Sequence, residues 1–507
     1  MTLCTNLHVD TPLASAAEHD MHTFELEHEA TFSPELREKC GVFGIISPNT
    51  LPLGQFMFYG LYALQHRGQE ACGMAVFDDH QLFLHKDLGL VNQVFSQKLL
   101  DKMTGQVGIG HVRYATTGQV TLENAQPVVA RTRYGALVLG HNGNLINLHK
   151  LQQAFQVQLD PTKDLSDSHV MARALAKALD KYSADPASVQ KAAVEVFSVC
   201  EGAFSVVFAI GDSLVAVRDR NGIRPLVLGR LHTGEVVFAS ETSALDIVGA
   251  KFEKELAPGE LMVVTRMEDG TLEQTTAMLE GKTANHFCVF EMVYFARPDS
   301  VLQDQTVYNY RLKMGQRLAE IAPADADLVI PVPDSGLPAA VGFSRASGIP
   351  FIEGLIKNRY VGRTFINPTQ ALRENGLRLK LNPLTHVLKD KRCVIVDDSI
   401  VRGTTSRRLV KLLRDSGVKE IHLRISSAPV KHPCYYGIDM STEEELIANH
   451  KSLEDLREWL GVESLAYLGV QDMLDCFDKP VDACTACFSN HYPAGKPDFL
   501  QQSLIQA

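Results

Sequence analysis

The stretch "KRCVIVDDSIVRGTTSRRLVKLLRDSG", residues 391–417, admits few folds. A short β-branched run ends at Asp397 and Asp398, a loop of small residues follows, and a helical period begins near Thr404 or Thr405. A buried strand feeding directly into a helix predicts a parallel α/β sheet, where ligands meet the carboxyl ends of the strands. The chemistry of the junction points the same way. Adjacent ionised carboxylates accept several bonds from vicinal hydroxyls. The turn Arg402-Gly403-Thr404-Thr405 offers backbone N–H groups and hydroxyls at a helix N-terminus, where the dipole favours a phosphate. "DD" alone reads as an acidic turn, but the whole stretch predicts a sugar-phosphate site.

The texture around it extends this layout. From about 305 to 440, apolar runs such as "DLVIPVP" and "EIHLRISS" alternate with helical stretches, continuing the parallel sheet. From 40 to about 280, short runs including "CGVFGII", "GQVGIGHVRYA", "FSVVFAI" and "GELMVVT" lie between Gly, Asn and Asp turn signals. Helical segments near 55–66, 167–182 and 188–199 interrupt them, which predicts stacked sheets flanked by helices, an α+β layering. The expected organisation is therefore 1–39 as a polar, disordered leader, 40–280 and 281–455 as two domains, and 456–507 as a helical, cysteine-containing tail. No internal repeat is present.

Composition narrows the partners. The 507 residues carry a formal net charge of -11, which argues against a nucleic-acid partner, and no apolar window is long enough to span a membrane. The leader lacks the basic and apolar regions of a secretory signal. A cytoplasmic location is expected, with most of the ten cysteines reduced and therefore open to chemistry or metal binding.

The 391–417 stretch resembles the phosphoribosyl pyrophosphate (PRPP) fingerprint of type I phosphoribosyltransferases. The resemblance implies that Asp397 and Asp398 hold the ribose hydroxyls. Ser399, Arg402, Gly403, Thr404 and Thr405 would cradle the 5-phosphate. "PVPDSGLPAA" resembles the pyrophosphate loop of that family, with Asp334, Ser335 and Gly336 as its binding residues. Mg²⁺ would be held by Ser335, Asp397 and Asp398. Between the motifs, residues 357–382 are rich in Lys and Arg on an acidic chain. They read as a lid over the pyrophosphate, with Lys357, Arg359 and Arg363 as charge partners.

A second question is posed by "ELREKCGVFGI", where Cys40 follows the polar leader. A free thiol has a pKa near about 8.5 and needs a base. An N-terminal residue supplies one, because its α-amine has a pKa of about 8, but this requires loss of residues 1–39. A buried strand cysteine is the ordinary alternative. The motifs downstream decide between them: "YGLYALQHRGQEACGM", "GIGHVRYATTG", "LGHNGNL" and "SDSH". Together with Cys40 they resemble the N-terminal-nucleophile glutamine amidotransferases. That resemblance implies an αββα sandwich with Cys40 as nucleophile and the Asn142 side chain and Gly143 N–H as the oxyanion hole. Arg113 would bind the α-carboxylate of glutamine and Asp167 its α-amine. Arg67 is grouped with these glutamine-site residues in a positioning role.

The two halves together resemble the glutamine phosphoribosylpyrophosphate amidotransferase family. The implied reaction takes glutamine, PRPP and water to 5-phosphoribosylamine, glutamate and pyrophosphate, opening purine synthesis. Ammonia would cross an internal channel between the sites. The resemblance also implies feedback by AMP and GMP and a homotetramer. Cys484 and Cys487 form a "CTAC" ligand pair by spacing, and with Cys288 and Cys434 they match the [4Fe–4S] ligands of the Bacillus-type subfamily. Four cysteines alone also suit a structural zinc site. Cys4, Cys72, Cys200, Cys393 and Cys476 read as leader or core thiols. A competing reading is a PRPP- or nucleotide-sensing protein with glutaminase activity only, against which the complete set of site residues argues.

Overall fold

The computed structural model describes residues 40–79, 81–114, 121–158, 166–183, 185–358, 380–438, 440 and 442–497. The expected leader and Cys4 lie outside this set, as do Arg359 and Arg363 of the basic segment.

Two antiparallel sheets dominate the first half. A seven-stranded sheet has Gly41–Leu51 at its centre, between Val236–Ala239 and Gly105–Arg113. A six-stranded sheet has Gly202–Ile210 and Gly135–Leu145 as adjacent strands. Their residues explain why the runs around Cys40 look apolar without alternation, since both faces are buried. On the first strand, Val42 and Ile46 join the core between the sheets, whereas Phe43 and Ile45 face the core under the helix Leu53–Ala63. Gly44 and Gly60 keep these layers close: a Cβ at Gly44 would meet Val207, and one at Gly60 would meet the Phe43 ring. Helices Asp167–Leu179 and Pro186–Val199 cover the outer face of the second sheet. The result is the αββα sandwich that the resemblance implied.

The second half is built on a four-stranded parallel sheet in the order Leu328–Pro331, Arg392–Asp397, Glu420–Ile425 and Ser464–Tyr467. One face packs Ile330, Cys393, Ile395 and Leu423 against Leu409, Leu413, Leu456 and Leu460. The other packs Val329, Val394 and Val396 with Val307, Tyr310, Met314 and Phe343. The sheet runs past the boundary expected at 455: the helix Leu453–Leu460 crosses it and Ser464–Tyr467 is a strand. The tail also folds back onto the junction of the halves, where Cys288 and Cys484 form a parallel bridge and Val289 N–H donates to Cys484 O at 3.3 Å.

Candidate active site

The antiparallel register gathers the first site. Gly41 pairs with Val112, so Cys40 lies where the strand ending at Arg113 terminates, and the Cys40 Sγ is 3.6 Å from Tyr114 O. Burial pushes the thiol up; the Tyr114 bond and the Arg113 and Arg67 charges act the other way, and Asp167 adds to the rise.

Asn142 and Gly143 sit on Gly135–Leu145, paired with Ser205 and Phe204. Asn142 is 1% exposed, yet its Nδ2 has no hydrogen-bond partner among the described residues. Gly143 has φ of +147°, and a Cβ there would lie 2.0 Å from Ala203 O, so only glycine fits. Asp167 opens its helix and accepts from Leu145 N–H at 3.1 Å and Ser168 N–H at 2.8 Å. Burial raises this carboxyl, but the His141 ring and those N–H bonds outweigh it and hold the group below its usual range.

Arg67 is fully buried and points elsewhere. Its Nε donates to Cys40 O at 3.1 Å, its Nη1 to Glu241 at 2.5 Å and Glu291 at 3.0 Å, and its Nη2 to Glu291 at 2.9 Å. All three nitrogens are thus committed within the protein. Glu241 also takes His66 Nε2 at 2.8 Å, Arg297 N–H at 3.0 Å and Ser300 Oγ at 2.7 Å.

The second site forms where two loops meet at the carboxyl end of the parallel sheet. Val332 N–H donates to Val396 O at 2.9 Å, and a Cβ on Gly336 would lie 2.4 Å from the same oxygen. Ser335 Oγ donates to Asp398 Oδ2, and Ser399 Oγ to Asp398 Oδ1 at 2.5 Å. Burial and the neighbouring carboxylate push Asp397 well above the ordinary range. Asp398 is raised too, mainly by burial, with the Ser335 and Ser399 bonds and the Arg311 charge opposing. Lys357 Nζ meets Asp334 at 2.6 Å, and Arg402 is held by Glu445 at 2.6 Å. Gly403 has φ of +74° and caps the helix Thr404–Asp415. The buried Thr405 Oγ1 has no partner, the counterpart of Asn142 Nδ2.

Comparison with known proteins agrees with this pairing of sites. Residues 111–247 match the glutamine amidotransferase domain and residues 307–436 the phosphoribosyl transferase domain. An amidophosphoribosyltransferase of Synechococcus elongatus is 49% identical over 475 residues, which are 92% of this chain and 94% of that protein. The chain belongs to the amidophosphoribosyltransferase family. A family member from Mycobacterium tuberculosis is 47% identical over 91% of this chain and 87% of its own length. The solved structure of the glutamine PRPP amidotransferase of B. subtilis, complexed with ADP and GMP, superposes with a TM-score of 0.80 at 41% identity. It covers 90% of this chain and 97% of the B. subtilis chain.

The four cysteines of the expected cluster come together. Cys288, Cys484 and Cys487 are buried in one core with Cys434 packed against them; burial raises each thiol first, neighbouring cysteines add to the rise at Cys434, Cys484 and Cys487, and Glu291 adds to it at Cys288. Among the described residues, no group of three or more His, Cys, Asp or Glu is arranged to hold a metal ion. Cys72, Cys393 and Cys476 are separate buried thiols, each pushed up to about 12 by burial. Among the described residues, no helix is long and apolar enough to cross a membrane.

Several site residues were not legible beforehand. Glu241, Glu291, Arg224 and Arg311 stand in no motif, and only their burial with charged partners marks them. Tyr467 ends the last strand beside Asp397. Its hydroxyl is buried without a partner, and burial and the Asp397 charge both raise it.

Proposed function

We propose that the chain makes 5-phosphoribosylamine from glutamine, PRPP and water, releasing glutamate and pyrophosphate, as the entry to purine synthesis. The observation that carries this is the pair of buried unpartnered groups, Asn142 Nδ2 in the first site and Thr405 Oγ1 in the second. A polar atom buried without a partner is costly unless a ligand satisfies it.

Removal of residues 1–39 leaves Cys40 with a free α-amine, which takes the thiol proton. The thiolate attacks the glutamine carboxamide, Asn142 Nδ2 and the Gly143 N–H hold the oxyanion, ammonia leaves with the proton returned by the α-amine, and water hydrolyses the glutamyl thioester to release glutamate and free Cys40. Arg113 binds the α-carboxylate and Asp167, kept ionised, the α-amine. Arg67 positions Cys40 rather than glutamine. At the second site Asp397 and Asp398 bind the ribose hydroxyls, and Ser399, Arg402, Gly403, Thr404 and Thr405 surround the 5-phosphate. Asp334, Ser335, Gly336 and Lys357 face the pyrophosphate, joined by Arg359 and Arg363. Ammonia passing through the interior displaces pyrophosphate at C1, away from bulk water that would protonate it.

Two adjacent carboxylates, Asp397 half-buried and Asp398 buried, beside a hydroxyl suit a divalent cation, because a cation relieves their mutual repulsion. Mg²⁺ held by Ser335, Asp397 and Asp398 supplies positive charge to the leaving pyrophosphate. Cys288, Cys434, Cys484 and Cys487 would hold a [4Fe–4S] cluster, a soft centre that takes four thiolates. As the reaction moves no electrons, the cluster is structural. AMP and GMP compete at residues 397–405, and the assembly is a cytoplasmic homotetramer.

The test is direct assay of phosphoribosylamine with either nitrogen source. Cys40→Ala abolishes glutamine use and spares ammonia use. Absence of product from both sources in the folded wild-type enzyme would remove the reading.

A further inference from the structure

A group of fully buried charges lies between the two sites. Arg67, Arg224, Glu241 and Glu291 are each at most 1% exposed. Two guanidinium groups meet two carboxylates, so the group is neutral as a whole and none of its members reaches water. Glu291 is the shared member: it takes both terminal nitrogens of Arg67, and Arg224 Nη1 lies 3.4 Å from its Oε1. Arg224 in turn donates through Nε to Tyr436 O at 3.0 Å, in the loop that stacks Gly437 on Gly143.

Glu291 begins a wide π-helical turn, Glu291–Phe295. That turn is pinned from the phosphoribosyltransferase side by Arg311, whose Nε donates to Met292 O and Nη2 to Ala296 O, both at 2.8 Å. Arg311 is 3% exposed and close enough to Asp398 for each charge to stabilise the other. Hydrogen bonds therefore run from Arg311 through the turn, Glu291 and Arg67 to the carbonyl of Cys40, and the charge of Arg311 extends the link to Asp398.

We propose that Glu291 is a positioning residue for the nucleophile, orienting the Cys40 backbone through Arg67, and that Arg311 ties this orientation to the Asp397–Asp398 site. The physical reason is the fixed guanidinium plane: Glu241 and Glu291 take Nη1 of Arg67 and Glu291 also takes Nη2, which aims Nε at the Cys40 carbonyl 3.1 Å away. Fixing that carbonyl anchors the Cα of Cys40, from which both the α-amine and the thiol project into the site. The proposal rests on Cys40 acting as the N-terminal nucleophile.

The test compares wild-type enzyme with Glu291→Gln and Arg311→Lys. Glu291→Gln keeps the shape but removes the charge that locks Arg67. Arg311→Lys keeps a cation beside Asp398 but loses the two-carbonyl clamp. In both variants the glutamine-dependent kcat falls at least about tenfold, while the glutamine KM and the ammonia-dependent rate stay within about threefold. The pH profile of Cys40 alkylation by iodoacetamide shifts in Glu291→Gln, a change that altered packing alone does not produce. An unchanged alkylation profile and glutamine kcat in folded Glu291→Gln overturn the proposal. So does an equal loss of ammonia-dependent activity, which marks a general support residue. If Glu291→Gln does not fold, Arg311→Lys decides alone by the split between the two nitrogen sources. Should Cys40→Ala retain glutamine use, the underlying nucleophile assignment fails instead, and the two failures are distinguishable.

Discussion

Asn142 and His111 are neighbours in the first site with opposite histories in the sequence. Asn142 stands in "HNG", a turn-like triplet that gains meaning only beside the other glutamine motifs, and its buried Nδ2, unpartnered among the described residues, is the group proposed to hold an oxyanion. Asn142→Ala should lower the glutamine-dependent kcat by about 10²–10³. The ammonia-dependent rate, measured in parallel, should not change. His111 carries no such signal. Its Nε2 donates to His141 O at 3.0 Å and its Nδ1 is buried without a partner, so the ring is neutral. Burial, reinforced by the Arg113 charge, lowers its pKa to about 3. The unfolded chain binds a proton near the ordinary value of about 6.5, so between these limits acid favours unfolding. Stability should be complete above pH about 6.5 and fall by about 1.4 kcal/mol per pH unit as acid is added. Urea midpoints of wild type and His111→Gln, measured from neutral pH to pH about 4, check this: the variant should show the flatter dependence. A histidine read from sequence offers no way to see this, because the shift is made by strands that meet only in the fold.

At the scale of elements, the strand–loop–helix of 391–417 was readable because three local signals coincide: β-branched residues, a glycine turn and an amphipathic helix. The helix does begin at Thr404. Its support was not readable. Ser464–Tyr467, only four residues long, is too short to stand out as a strand, and its pairing with Glu420–Ile425 makes it one. The helix Leu453–Leu460 just before it backs the phosphate loop: a Cβ on Gly403 would lie 2.7 Å from Ile447 and 3.0 Å from Trp459. Gly403→Ala therefore combines backbone strain with a collision. It should raise the KM for PRPP by about tenfold, since a left-handed residue costs about 1–2 kcal/mol for any side chain. Trp459 is the only tryptophan in the chain, and Arg407 lies 4.7 Å over its ring. Titration with PRPP should consequently change the intrinsic fluorescence, and Trp459→Phe should abolish that signal.

Across the whole molecule, the four cysteines join segments that no local pattern connects. Cys288 follows the last strand of the sandwich, Cys434 lies in the loop touching Gly143, and Cys484 and Cys487 come from the tail. The spacing of "CTAC" suggested a ligand pair, and Cys288 and Cys434 could be grouped with it only by resemblance, because their approach depends on the docking of both halves. Holding these segments in one centre restricts long stretches of the unfolded chain, which in the chain-entropy treatment is worth about 4 kcal/mol. The protein backbone already brings the segments close: Cys484 N–H donates to Phe287 O at 2.8 Å, and Lys431 N–H to Cys487 O at 2.9 Å. The bound centre should therefore act as a lock on an interface that is largely prearranged. Cys484→Ser should leave the protein without iron and lower its thermal midpoint, on the order of 5–10 °C. The tail should become the first site of proteolysis, because it loses its tie to residues 287–289. Because the Cys434–Gly437 loop leans on the Gly143 backbone, glutamine use should decline before ammonia use as temperature rises. Iron content, calorimetry and limited proteolysis of the variant beside wild type measure each part. Equal thermal midpoints in an iron-free variant would show that backbone contacts alone hold the halves together.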